Sequence, residues 1–312
     1  MKKRIVNVIF LILFTGPLFP SFLPAGTTPS DDKAKILTTF FPLYLFTRNI
    51  MYGIDGVTVE NMLPSSYGCP HDFALAPDDL RKIHQADIII ENGLGLEVFM
   101  QEAVRTGNNR AHVMIATAGV EPIKLRYYDV HEGSRDDSLL QFNPHAFASP
   151  REAGIMVRTI TDSLTVWLPR YAEQIRINGN RYAAGLDSLD REFSDSLRDL
   201  QNPKVATVHE VLNYMARDYG FDIVDVIERE PGQDPSAKTM VSLVAELRQA
   251  KIAAIFSEPQ YSTKAVETIS AELRVPTYEV DPIASGPDKN LPLDYYQRQM
   301  KKNLTALLKA MK

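Results

Sequence analysis

The chain has 312 residues, 45% of them apolar and 23% charged, with a formal net charge of −5. That length accommodates one large or two medium domains with ample chain to bury a core. The acidic balance excludes a basic surface of the kind that grips nucleic acid, and a single cysteine, Cys69, excludes an internal disulfide framework or a Cys-rich zinc module.

Lys2, Lys3 and Arg4 precede residues 5–14, which are apolar except for Asn7. This run is too short to span a bilayer comfortably, so residues 1–26 are expected to be a cleaved secretory signal, with the small residues Ala25 and Gly26 near the cut. No cysteine follows the apolar segment, so a lipid anchor is not expected.

Residues 35–39 (KILTT) predict a strand, and 40–52 a helix with Leu43, Phe46, Thr47 and Ile50 on one side. Residues 57–63 form a second predicted strand, feeding a loop in which Pro64 and Pro70 bracket His71. Each proline fixes its own φ and restricts the residue before it, so the loop is stiff enough to hold a ligand in place. Pro77, Asp78 and Asp79 open a helix that runs to about Gln85, with proline and acids where a helix start favours them. The apolar run 87–91 (DIIIE) suits a strand covered on both faces. Gly93 and Gly95 separate it from a helix over 96–104, and 112–116 is a fourth strand. Residues 119–142 are polar and aperiodic, with Asp129, His131, Glu132, Asp136 and Asp137, and are expected to be an exposed loop. They lead to Asn143-Pro144-His145 and to a helical region opening at Pro150. Pro169 and Gly179 interrupt its pattern, which continues over 170–200 to a stop at Asn202-Pro203.

The second half repeats this grammar. Strands are expected at 204–208, 221–227, 252–257 and 277–280, and helices at 209–219, 237–249, 263–273 and 293–309. The alternation predicts an α/β protein of two lobes with mainly parallel sheets, joined by a long rigid backbone helix. The boundaries are an N-terminal lobe over 33–160, a linking helix over 161–201 and a C-terminal lobe over 202–312.

Four ligand-type residues stand out by position. His71 follows the strand at 57–63, His145 sits in a proline-bracketed turn, His209 follows 204–208, and Asp281 follows 277–280. The carboxyl ends of strands are where open α/β sheets bind ligands, so two facing lobes would bring these residues to one cleft. Three imidazoles and a carboxylate suit zinc or a similar divalent ion. The spacing is long, however, and the residues alone leave loop hydrogen bonding as a competing role for each histidine and turn opening as one for Asp281. Glu258, also at a strand end, fits an acceptor for an imidazole N–H better than a ligand.

From Ile36 to about Gly286 the chain resembles the zinc/manganese solute-binding receptors of bacterial ABC importers (the ZnuA/TroA-like family). The resemblance is carried by TTFFPLYLFTRNI, MLPSSYGCPHDFALAPDDLRKIHQADIIIENGLGLE, NPHAF, VATVHEVLNYMARDYGF, SEPQYSTKAVETIS and VDPIA. It implies one metal in a cleft between two α/β lobes, ligated by His71, His145, His209 and Asp281. It further implies a periplasmic, non-catalytic monomer that delivers the ion to a membrane permease. Histidine rather than a carboxylate at the third position, His209, favours zinc, with manganese or iron(II) as alternatives. Asn143 stands where the family usually has aspartate, Phe147 where tryptophan is common, and the 119–142 loop carries only His131. A zinc hydrolase using Asp281 or Glu258 as base, and an adhesin, are the competing function classes. Cys69 is expected to be a buried small residue, because four other ligands fill a tetrahedral shell. His84, His112, Trp167, Tyr171, Tyr182 and Phe193 are expected to be structural.

Overall fold

The strands of the first half are β1 (Ala34–Thr38), β2 (Val57–Asn61), β3 (Ile88–Glu91) and β4 (His112–Ile115), and those of the second are β5 (Lys204–Thr207), β6 (Asp222–Val226), β7 (Ala254–Ser257) and β8 (Thr277–Glu279). The computed structural model describes residues 33–312 apart from 71–72, 108–109, 127–141, 229–234 and 262–263. The expected signal segment, His71, His131 and most of the polar loop therefore lie outside the described residues. Each half builds one four-stranded parallel sheet, in the order β2-β1-β3-β4 and β6-β5-β7-β8. In both, the chain moves to one side of its first strand and then crosses back to the other. Strand order thus reverses between β1 and β3 and again between β5 and β7, giving two topological switch points.

The helices are α1 (Phe41–Ile50), α2 (Pro77–Gln85), α3 (Val98–Gly107), α4 (Pro150–Trp167), α5 (Ala172–Ser196), α6 (Asn213–Tyr219), α7 (Ala237–Ala250), α8 (Lys264–Leu273) and α9 (Tyr295–Met311). Side chains alternate across a strand, and here the alternation sorts them between cores. Ile36, Ile88 and Ile90 face a central core, whereas Leu37 and Ile89 join Met62, Ile83 and Met100 on the outer face. In the second sheet Val205, Ala254 and Phe256 face the centre, while Ala206 and Ile255 pack with Leu243, Leu247 and Ile269. The apolar runs read from the sequence are continuous because both faces of each sheet are covered.

The central core is shared. It runs without a break from Ile36 and Phe46 through Leu186 and Phe193 of α5 to Tyr214 and Met311. The Phe46 and Tyr296 rings meet edge to face at 5.4 Å, and the Tyr296 hydroxyl donates to the Phe147 carbonyl at 2.8 Å. Fully burying one such side chain is worth about 1.5–3 kcal/mol, so parting the halves would forfeit many such contributions at once.

Gly179 does not interrupt the helical pattern as its sequence context suggested. It lies inside α5, where a Cβ would meet Thr161 Oγ1 at 2.2 Å. The glycine lets α4 and α5 approach closely, so the long connecting helix is braced along its length by a second one. Among the described residues no helix is long and apolar enough to cross a membrane.

Candidate metal centre

His209 ends the extended segment of β5, directly beyond the second switch point. Its ring is buried, and Nδ1 lies 2.7 Å from Glu258 Oε1, at the end of the adjacent strand β7. The approach meets the distance of a hydrogen bond but not its alignment, since neither atom completes a well-aligned bond. The distance is the better guide, because Glu258 Oε1 has no hydrogen-bond partner elsewhere among the described residues. An Nδ1–H directed at a carboxylate leaves the lone pair on Nε2. That nitrogen is buried and has no hydrogen-bond partner among the described residues.

His145 opens a short helical turn, His145–Ala148, just before α4. Its tautomer follows from its neighbour. Asn143 Oδ1 accepts from the His145 backbone N–H at 2.9 Å, which identifies it as the oxygen of the amide. His145 Nδ1 lies 2.9 Å from the same oxygen and must therefore carry the proton. The Asn143 amide donates to the Glu210 carbonyl at 2.5 Å, its backbone N–H donates to the Ile123 carbonyl, and its own carbonyl accepts from Tyr214. A fully buried side chain with every group satisfied makes a rigid mount for the ring. The His145 and His209 rings stand 5.2 Å apart at 79°, and Tyr261 packs on His209 at 4.9 Å.

Cys69, Gly68 and Pro70 form the end of the described loop after β2. The cysteine Sγ and one nitrogen each from His145 and His209 all lie within 4.8 Å of one another, in a group that could hold a metal ion. Cys69 is half-buried, and burial, with the charge of Glu258 next, pushes its thiol well above the usual range. The two prolines fix the loop so that the thiol faces both imidazoles, a convergence that spacing in the sequence does not disclose.

Asp281 follows β8 as expected, but its carboxylate is not in that close group. Oδ1 accepts from the Ile283 backbone N–H at 2.7 Å, and Oδ2 faces Gln299 Nε2 at 3.3 Å. Asn303 takes both backbone groups of Asp281. Burial raises the carboxyl above its ordinary value, opposed by the bonds from Ile283 and Gln299. Ile283 has φ +66°, an uncommon conformation for a β-branched side chain, so this turn carries strain.

Sequence reasoning overlooked the frame beneath the site. Glu97 is buried and accepts from Thr39 Oγ1 at 2.8 Å and from the backbone N–H groups of Asn92 and Gly93 at 2.7 and 3.0 Å. Asn92 in turn donates to the Pro144 carbonyl at 2.9 Å, one residue before His145. Burial pushes the Glu97 carboxyl up to about 7 despite those bonds. The signal was the acid closing ENGLGLE, just after a strand and two glycines.

Two parallel four-stranded sheets about a continuous core define a two-lobed α/β fold, and the buried imidazoles of His145 and His209 meet in it as a candidate metal centre. The chain belongs to the family of zinc-uptake complex component A, periplasmic (ZnuA), which matches residues 36–310. It is 28% identical to the zinc-binding protein AdcA of Streptococcus pyogenes over 98% of its own length and 61% of that protein, so it spans about three-fifths of that relative. It is 27% identical to the high-affinity zinc uptake system protein ZnuA of Bacillus subtilis over 88% of this chain and 87% of that one. Among solved structures, the SBP FpvC of Pseudomonas aeruginosa in complex with Mn2+ superposes with a TM-score of 0.76 at 25% identity, covering 90% of this chain and 98% of that one.

Proposed function

We propose that the protein captures zinc in the periplasm and delivers it to the membrane permease of an ABC importer, without catalysing a reaction. The observation that carries this reading is the buried His209 ring, its Nε2 without a hydrogen-bond partner among the described residues, converging with the His145 ring. An imidazole desolvated in this way is costly unless something binds it, and a cation is the natural occupant of such a buried lone pair. Membership of the zinc-uptake family and the names of the relatives support zinc as the cargo. The proposed ligands are His145 and His209, with His71 from its position in the sequence and Asp281 after its carboxylate leaves Ile283. Glu258 and Asn143 orient the two rings. The protein is taken to act as a monomer of two lobes, braced by α4 and α5.

Nitrogen-rich ligation favours zinc over manganese. Manganese is the second reading, supported by the Mn2+ complex of the similar FpvC and by the carboxylates of Asp281 and Glu258 near the site. Metal analysis of protein recovered from its native compartment under metal-limited growth, with a chelator competition titration, tests both. One equivalent of zinc is expected, released on acidification because ligating imidazoles must be neutral. Predominant manganese would replace zinc as the cargo, and failure to retain any divalent ion would overturn the receptor reading.

A further inference from the structure

We propose that Cys69 is a metal ligand, its thiolate closing with His145 and His209 on a single ion. The inference rests on the receptor function proposed above and revises its ligand set, with Cys69 taking the fourth place in the tetrahedral shell instead of Asp281. In a tetrahedral zinc site with Zn–S near 2.3 Å and Zn–N near 2.0–2.1 Å, neighbouring ligand atoms sit roughly 3.3–3.6 Å apart. Cys69 Sγ and the two imidazole nitrogens already lie within 4.8 Å of one another, so a contraction of about an ångström, within reach of side-chain rotation, completes that face of the shell. The His209 nitrogen aimed into this group is buried and without a partner among the described residues, which is the state of a ligand waiting for an ion.

The backbone on either side of Cys69 supports the same conclusion. Gly68 adopts φ +91°, which side-chain-bearing residues rarely reach, and Pro70 restricts Cys69 to an extended backbone. The thiol is therefore held by the chain rather than placed by chance. Asp281, by contrast, is outside the group and already engaged by Ile283. Binding breaks the S–H bond, forms an S–metal bond and sends the proton to the buffer, with no change of oxidation state. A soft thiolate among imidazoles selects zinc and disfavours manganese, so Cys69 would act as a specificity determinant.

The test loads the protein with Co2+ as a spectroscopic stand-in for zinc. Visible d–d bands report that the ion is bound, and a near-ultraviolet thiolate-to-cobalt charge-transfer band reports that sulfur ligates it. The wild type is expected to show both, and Cys69→Ser to keep the first and lose the second. Zinc is expected to slow alkylation of Cys69 in the wild type by about tenfold or more, since a metal-bound thiolate is no longer a free nucleophile. Cys69→Ala is expected to weaken zinc more than Asp281→Asn and to narrow the preference for zinc over manganese. Bound cobalt with no charge-transfer band, together with alkylation unaffected by zinc, overturns the role of Cys69 and leaves the receptor reading intact. Absence of both cobalt and zinc binding overturns the receptor reading and this inference with it.

Discussion

The two sheets share a strand order yet equip their carboxyl ends differently. Beyond the second sheet stand His209 after β5, Glu258 after β7 and Asp281 after β8, all titratable and all within two residues of a strand. Beyond the first stand Thr39 after β1 and Asn92 after β3, tied through Glu97 into a hydrogen-bonded frame. The first half brings its donor atoms in on loops and rests those loops on the frame: Cys69 arrives after β2, and His145 is steadied through Asn92 and Pro144. The same topology thus serves once as a source of ligands and once as a support for them. A direct strand-end residue inherits its position from the sheet, whereas a loop residue needs every buried polar neighbour satisfied before it is equally rigid.

The sharpest way to break this contrast is His209→Ala, which removes the only imidazole placed just beyond the carboxyl end of a strand among the described residues. Zinc affinity in a chelator competition titration is expected to fall by more than the roughly 10–100-fold lost when a ligand's supporting partner is removed. Unchanged affinity would take His209 out of the site. Glu258→Gln keeps the shape but removes the charge facing His209 Nδ1, and is expected to cost about 10–100-fold in the same titration. An effect as large as that of His209→Ala would mean that Glu258 itself ligates.

On the loop side, Asn143→Asp restores the residue usual in the family at the expense of this chain's own contact. Aspartate can still accept from His145, but its second oxygen would face the Glu210 carbonyl that Asn143 now donates to at 2.5 Å. A buried bond lost in this way costs about 1–3 kcal/mol, to be read as a lower urea midpoint of the metal-free protein. No loss of stability would show that the Glu210 contact is dispensable.

The smallest expected effect concerns the frame. Glu97 titrates at about 7 in the folded protein, against 4.5 for the ordinary carboxyl. Its proton is therefore held more tightly folded than unfolded. The associated stability is present in full below about pH 4.5 and is lost as pH rises through about 7. In Glu97→Gln the decline in stability between those limits, followed by urea melts, is expected to be shallower. It should not vanish, because burial is the larger cause that raises Glu91 to about 7, and it persists when the Glu97 charge is gone. An unaltered decline would assign the pH dependence elsewhere.

Legibility in the sequence divides along the same line. Both sheets could be read from it because β1, β3, β5 and β7 are short apolar runs punctuated by glycine, proline or aspartate, and that pattern depends on covered faces alone. His209, Asp281 and Glu258 were equally visible, since each follows such a run within two residues. Cys69 was set aside because four other ligands filled a tetrahedral shell, and its approach to His145 and His209 is not legible in residue spacing, since it depends on how a proline-rich loop folds over a distant strand end. Glu97 went unremarked because its partners are mostly backbone N–H groups, which leave no trace in residue types. Gly179 was misjudged as a break because close helix–helix contact and helix termination call for the same residue.

The core that passes unbroken beneath both sheets has a thermodynamic consequence for the cargo. Residues Lys33–Lys312 form one compact unit, so they are expected to melt in a single cooperative transition in a calorimeter. Ligand that binds only the native state then adds about 2.7 kcal/mol at a hundredfold excess over Kd, shared by the whole unit. The occupancy of one ion would be readable from slowed amide exchange in α9, at the far end of the chain, as well as from the loops that touch it.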